Sequence, residues 1–297
     1  MSSADDEHSS RVPSAQRSDP DPEHESLKKG NRSAISDFYV AEDVADENEK
    51  FAFKVFIRVN ARGIKFRNVS FQHCIFDECY FNSCVFDSCD FTGCRFLGSN
   101  FHQSSFAGCR FRYATFERTE IDDDVLTSEA PTEENLRMRF ARSLRMNYQQ
   151  IGDAKAANKA ISLELKATSI YLRNSWGMRR STYYKKKYPG WRSVEQFFRW
   201  LTYWILNVVW GNGESILKLM RTMVVFVLLI TLYDTTTFEN ALSMGDYWRS
   251  FQNALAAFLG IFYPDDYPVV VKSAIAGIRF VAIALLAALF LRRLGHR

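Results

Sequence analysis

The sequence predicts a mixed fold: a β-solenoid in the first half, a helical hairpin, then two bilayer-length helices with a shorter apolar segment between them. Three observations carry this. Phenylalanine recurs at an interval of five from Phe66 through Phe71, Phe76, Phe81, Phe86, Phe91, Phe96, Phe101, Phe106 and Phe111 to Phe116, and Ile121 takes the next place. The composition then turns from polar to apolar along the chain, and two apolar runs, 216–233 and 269–291, lie in its last third. A strict five matches neither the 3.6-residue period of a helix nor the alternation of a strand. It is the mark of a solenoid, whose units bury their apolar side chains only by stacking on one another.

Taken in order, residues 1–36 are rich in Ser, Asp, Glu and Pro and open with no apolar run, so they are expected to be a disordered tail and neither a secretory signal nor an acyl anchor. Residues 37–63 are expected to cap the solenoid of 64–121. Within the repeat, the residue two places before each Phe is small or β-branched: Val69, Cys74, Cys79, Cys84, Cys89, Cys94, Ser99, Ser104, Cys109, Ala114 and Thr119. The positions between are polar or charged, as at Asp77, Asn82, Asp87 and Asp90. This pattern resembles the pentapeptide-repeat family. The resemblance implies a right-handed quadrilateral β-helix with the Phe and the small residue pointing inward and coils stacked about 4.8 Å apart.

All six cysteines fall at the small inward position. Their C-x4-C spacing is loosely compatible with zinc, but on a four-sided coil successive cysteines face inward from different sides and cannot converge on one ion. Cys74/Cys94 and Cys89/Cys109 would stack on adjacent coils within disulfide reach, and a reducing cytosol would keep them as thiols. They are expected to be small hydrophobic packers.

Residues 122–192 are expected to hold a helical hairpin and a basic linker. Thr132 is a candidate N-cap; Leu136, Phe140 and Leu144 form a stripe; Gly152-Asp153 breaks the run. The linker carries Arg173, Arg179, Arg180, Lys185, Lys186 and Lys187. Residues 193–213, rich in Trp and Tyr, suit an amphipathic helix lying at a membrane interface, with a third span as the alternative.

Residues 214–297 form the membrane module. At 1.5 Å per residue, 269–291 is about 34 Å long, which matches a bilayer. Arg221 near the start of the first run can snorkel toward headgroups. Basic residues before the first run and Arg292-Arg293 after the second place both termini in the cytoplasm, in a multi-pass cell-membrane protein. The segment 247–266 is too short to cross and suits a re-entrant half-helix with an extended return. The order span, half-helix, loop, span resembles the pore module of two-transmembrane potassium-channel-like proteins, and Trp210-Gly211-Asn212-Gly213-Glu214-Ser215 resembles the turn before its first span. This resemblance implies a homotetramer around an ion pathway. The filter-like loop reads Leu259, Gly260, Ile261, Phe262, Tyr263, Pro264, Asp265, Asp266. Potassium filters use Thr-x-Gly-Tyr-Gly, so this departure argues against potassium selectivity.

Asp265 and Asp266 are candidates for an acidic outer ring, or for a solvated turn. Arg279, ten residues inside the second span, and Lys272, seven positions earlier on the same face, are candidates to line the pore, or to form an interhelical pair. The five histidines are scattered, and no phosphate-binding Gly loop occurs, so neither an enzyme nor a cofactor is expected. Soluble relatives of the repeat family include DNA mimics, which need a strongly acidic surface. Within 64–121 six basic and six acidic residues cancel, and the whole chain carries only +4, so no nucleic-acid partner is expected. The expected partners are membrane lipid, further copies of the chain, a permeant ion, and a cytoplasmic protein docking on the solenoid. A membrane-anchored scaffold that does not conduct is the alternative reading.

Overall fold

The computed structural model describes residues 32–45, 51–177, 182–238 and 244–294. Twelve short strands build the solenoid: β1 Ala34–Ser36, β2 Tyr39–Val40, β3 Val44–Ala45, β4 Val55–Ile57, β5 Asn60–Arg62, β6 Lys65–Arg67, β7 Ile75–Asp77, β8 Tyr80–Asn82, β9 Val85–Asp87, β10 Arg95–Leu97, β11 Ser105–Ala107 and β12 Thr115–Glu117. All pair in parallel, in three faces ordered β1-β4-β7-β10-β12, β11-β9-β6-β3 and β2-β5-β8. Isolated bridges Ser70↔Asp90 and Asp90↔Arg110 make the fourth face. Partners lie twenty residues apart, as in Phe76↔Phe96↔Phe116. Four repeats therefore close one coil, and the five strands of the first face mark four coil-to-coil steps.

Two expected boundaries are corrected. β1 lies inside 1–36 and β2 to β5 inside 37–63, so coils occupy residues assigned to a tail and a cap; residues 1–31 lie outside the described ones. The period of five in fact continues back through Ala61 and Phe56 to Phe51, each turned toward the core. Upstream the register slips: Ile35 pairs with Phe56 and Val44 with Phe66, offsets of twenty-one and twenty-two. Ala61 and this slip hide the first coil from a search for regular Phe.

Inside, the rings form four columns. Phe56, Phe76, Phe96 and Phe116 stack at centroid distances of 5.0, 5.1 and 4.8 Å. Phe71, Phe91 and Phe111 stack at 5.2 and 5.0 Å, and Phe66, Phe86 and Phe106 at 4.9 and 5.0 Å. Phe81 and Phe101 complete the fourth at 5.2 Å. Neighbouring columns meet edge-on, as Phe71 meets Phe76 at 5.5 Å. Both arrangements follow from the aromatic quadrupole.

The small position does more than fill space. From Cys79 to Cys109 each thiol or hydroxyl at this position donates to the carbonyl of the central residue twenty-three places earlier, on the preceding coil, whereas the Thr119 hydroxyl donates to the Glu117 carbonyl. The series runs Cys79 to Phe56 (3.3 Å), Cys84 to Ala61 (3.5 Å), Cys89 to Phe66 (3.4 Å), Cys94 to Phe71 (2.8 Å), Ser99 to Phe76 (3.2 Å), Ser104 to Phe81 (2.7 Å) and Cys109 to Phe86 (3.4 Å). Serine and cysteine interchange here because both are small and both donate. All six cysteines are free and buried. Burial pushes the Cys74 and Cys79 thiols up to about 11 and raises Cys84 and Cys94 as well. Cys89 and Cys109 share a contact across coils; that contact and then burial raise Cys109.

Every fifth residue turns a corner in the left-handed region, from Phe53 to Arg118. Most of these carry a side chain, which such a backbone disfavours, so the stacked coils must impose it. Gly93 is required for a second reason: a Cβ there would collide with the His73 imidazole, which stacks on Phe53 at 5.0 Å.

The chain then covers its own C-terminal edge. After α1 (Val125–Ser128), helix α2 (Glu134–Ile151) lies over the last coil. Phe140 meets Phe111 at 5.8 Å and Phe116 at 6.0 Å. On the same stripe the Ser143 hydroxyl accepts from the Phe116 N–H (2.9 Å) and Gln150 from that of Arg118 (3.1 Å). Asn147 both accepts from the Thr119 N–H and donates to its carbonyl, each at 2.7 Å. An open edge of parallel strands, which would template association, is thereby paired with side chains. Helix α3 (Ala154–Trp176) returns against α2 after Gly152 caps one helix in the left-handed region and Asp153 caps the next by accepting from Ala156 N–H (2.9 Å). The first helix starts at Glu134 with Glu133 at its N-cap, in place of Thr132. Arg142 and Arg145 pair with Glu164 across the hairpin at 2.8 and 3.1 Å.

Short α4 (Thr182–Lys187) leads to α5 (Trp191–Trp210). Lys187 donates to the hydroxyls of Tyr171 and Tyr183, both at 3.1 Å, which fastens the basic linker to α3. The linker residues Arg179 and Arg180 lie outside the described ones. Trp176 meets Phe197 at 4.9 Å and Trp200 at 5.0 Å, and Tyr203 donates to the Leu165 carbonyl (2.8 Å). The solenoid cap is thus packed to α5.

Three outcomes follow. Phe91→Ala, in the middle of a column, should cost about 3–5 kcal/mol in chemical unfolding. Asn147→Ala strips two buried backbone groups of partners and should cost about 2 kcal/mol, with concentration-dependent self-association of the exposed edge measured by light scattering. Maleimide should label none of the six thiols in the native protein at pH 7 and all six in denaturant, read by mass spectrometry.

Candidate functional site

The last three helices are α6 (Ile216–Phe238), α7 (Met244–Leu259) and α8 (Val269–Leu294). Among the described residues, two helices are long and apolar enough to cross a membrane, Ile216–Phe238 and Val269–Leu291. Only 22% and 17% of their most apolar windows are buried, so neither is wrapped as the core helix of a soluble domain would be. α5 is not among them; it carries Arg192, Glu195 and Arg199.

α5 and α6 meet at a tight elbow. Gly211 stands in the left-handed region, and α6 supplies donors to the unpaired carbonyls at the end of α5: Arg221 to Val208 (2.7 Å) and Thr222 to Val209 (2.9 Å). Lys218 adds a bond to the Asn207 side chain at 3.0 Å. Arg221, expected to snorkel toward lipid, spends its guanidinium on this cap.

α7 is 16 residues long, about 24 Å at 1.5 Å per residue, and so falls short of a bilayer core. Its buried residues Ser250, Ala254, Ala257 and Phe258 form one helical face, which packs on α6 in an antiparallel pair where Phe226 meets Phe258 at 6.0 Å. Val227, Ile230, Ala254, Phe258, Tyr267, Ile275 and Ala282 form the core shared with α8.

The filter-like loop begins where α7 is capped. Gly260 N–H donates to the Ala257 carbonyl (3.1 Å) and Ile261 N–H to that of Ala256 (2.9 Å), with Gly260 at φ +76°. This is the paired bonding of a glycine that ends a helix. Gly260 therefore has a local reason to be glycine that owes nothing to ion coordination. Leu259, Ile261 and Phe262 form an exposed apolar tip. Pro264-Asp265-Asp266-Tyr267 is a turn closed by Tyr267 N–H on the Pro264 carbonyl (3.2 Å), with both carboxylates exposed. Tyr263 is half-buried against the shared core, and Tyr267 is buried between Tyr233 (5.9 Å) and Phe238 (5.7 Å). The Pro268 carbonyl accepts from Val271 and Lys272 and starts α8.

Both basic candidates reach this loop. Lys272 Nζ donates to the Asp265 carbonyl at 3.4 Å. The Arg279 guanidinium lies against Gly260, where a Cβ would strike its Nη1, and packs over the Phe280 ring at 5.1 Å. The eight loop residues, Lys272 and Arg279 are therefore one constellation. Sequence reasoning passed over Asp234, which is 3% exposed on the face of α6 that α7 covers, beside buried Thr231 and Thr235. The signal was present: an acidic residue one position beyond the apolar run ending at 233, in a threonine-rich stretch. Among the described residues no group of three or more His, Cys, Asp or Glu is placed to hold a metal.

With this geometry in hand, comparison with known proteins bears on the solenoid. Residues 55–127 match the family model for the pentapeptide repeat region. The match takes in the solenoid from β4 through β12. Solved structures similar to the chain include two trypsin-treated variants of QnrB1, described as a plasmid-mediated fluoroquinolone resistance protein. One is 18% identical with a TM-score of 0.12, covering 30% of this chain and 56% of that one. The other is 17% identical with a TM-score of 0.11, covering 29% and 63%. The chain thus spans little more than half the length of either, and scores this low carry no argument. No curated protein matches the sequence.

Gly260→Ala should destabilise the unit of α6, α7 and α8 by about 1–2 kcal/mol from backbone strain alone, plus the displacement of Arg279. In an Arg279→Ala background only the backbone cost should remain, so thermal unfolding of the two singles and the double should show coupling.

Proposed function

We propose that the chain is an ion-channel-like protein of the cell membrane, a homotetramer with both termini and the pentapeptide-repeat solenoid in the cytoplasm. One observation carries this reading: a helix too short to span is packed between two apolar helices and ends in a capped loop held by Lys272 and Arg279. In this reading α7 and the loop re-enter the bilayer, where irregular backbone is tolerated only when protein or a water-filled cavity covers it. The apolar tip of Leu259, Ile261 and Phe262, exposed in one copy, is then covered by a neighbour. α5 lies at the interface with its Trp side chains among headgroups.

The loop does not suit potassium. Its one glycine caps a helix, and a guanidinium stands at the turn where a potassium filter presents carbonyls. Positive charge there favours anions, while exposed Asp265 and Asp266 draw cations to the mouth. The solenoid acts as a docking or regulatory body for a cytoplasmic protein partner; its balanced charge gives no grip on nucleic acid. No catalytic role is assigned to any residue.

A second reading, a membrane-anchored scaffold that does not conduct, is favoured by the same Arg279 contact, because a guanidinium packed on the loop obstructs the path an ion would need. Mass measurement of the detergent-solubilised protein separates the pore reading from any monomeric one: a tetramer is expected, and a monomer would sink it. Given a conducting tetramer, Arg279→Ala should shift the reversal potential in asymmetric salt toward cation preference, and Asp265→Asn toward anion preference.

A further inference from the structure

We propose that Asp234, Ser250 and Tyr267 bind one alkali-metal cation through oxygen atoms alone, and that the bound ion fastens the loop of residues 260–268 to α6. Asp234 Oδ2, the Ser250 hydroxyl and the Tyr267 hydroxyl are buried and have no hydrogen-bond partner. Their residues are 3%, 0% and 2% exposed. They come from α6, α7 and the loop respectively.

Counting along the antiparallel pair places Asp234 and Ser250 at about one level. α6 and α7 run antiparallel with Phe226 opposite Phe258; eight residues on along α6 and eight back along α7 stand Asp234 and Ser250. The Tyr267 hydroxyl is aimed at the Asp234 carboxylate as a donor would be, without making a hydrogen bond of normal geometry, and its ring is fixed by Tyr233 and Phe238. Thr231 and Thr235 on the same face donate their hydroxyl protons to helix carbonyls, at 3.0 and 2.9 Å, which leaves their oxygens with acceptor capacity only.

A buried carboxylate without full hydrogen bonding is expensive and calls for a counter-charge. The unpartnered atoms here are all hard oxygens around a single formal charge, the chemistry of a sodium or potassium ion and not of a zinc-like one. Exposed Asp265 and Asp266, adjoining Tyr267, concentrate cations where the ion would enter. This site lies behind the loop and does not depend on conductance.

The test is thermal unfolding of the full-length protein in detergent at constant ionic strength, with choline chloride replaced stepwise by sodium or potassium chloride. One alkali cation should raise the midpoint saturably, by about 2–5 °C. The rise should vanish in Asp234→Asn and need higher salt in Ser250→Ala, which keeps the test open if the first variant fails to fold. Equal midpoints in all three salts, or a full response in Asp234→Asn, would overturn the proposal. So would a midpoint indifferent to alkali cations that rises on acidification, which would assign the site to a proton. A silent bilayer with an intact cation response would remove the pore reading alone.

Discussion

The structure depends on one coil lying on the next at an offset of twenty residues, held without a slip from Val55 onward. That offset stacks each Phe ring on another, and it places each Cys or Ser at the small position under the carbonyl of the preceding coil. The two effects reinforce each other. The parallel backbone ladder sets the distance between coils, the rings stack at that spacing, and the donor at the small position adds a further tie between coils. A corner backbone that most side chains would avoid is the cost, and many stacked layers impose it where one alone could not.

Such a solenoid ends in unpaired backbone groups, and its C-terminal end is where the fold connects to the rest of the chain. α2 satisfies that edge with Ser143, Asn147 and Gln150 and buries Phe140 on the last rings. α3 carries the packing to α5 through Trp176 and Tyr203, and the elbow at Gly211 carries it to α6. Each step is a hydrogen bond or aromatic contact between helices, so binding on the solenoid has a continuous packed route to the loop. Coupling along it requires a two-state element, and the Gly211 elbow is the point on this route where the chain turns from α5 into α6.

The parts of this architecture that the sequence reveals are those with a local period. The Phe ladder and the Leu136, Phe140, Leu144 stripe are visible because core positions repeat. The first coil is not, because Ala61 and the slipped offset break the period. Ser143, Asn147 and Gln150 are invisible to pattern reading because their partners are backbone N–H groups about thirty residues away. At the candidate site the loop residues, Lys272 and Arg279 are legible as anomalies in an apolar stretch. That Gly260 is a helix cap, and that Arg279 rests on it, requires the loop's actual bonding. Asp234 was missed because it falls just past the apolar run, where a charged residue attracts no notice until α7 is seen to cover it.

The central claim is that α6, α7, the loop and α8 form an ion pathway when four copies assemble. Current across a planar bilayer containing the purified tetramer tests it most directly. Unitary current steps with a reversal potential set by the salt gradient, and without potassium selectivity, are predicted. A verified tetramer that stays electrically silent in sodium, potassium and chloride salts would contradict it.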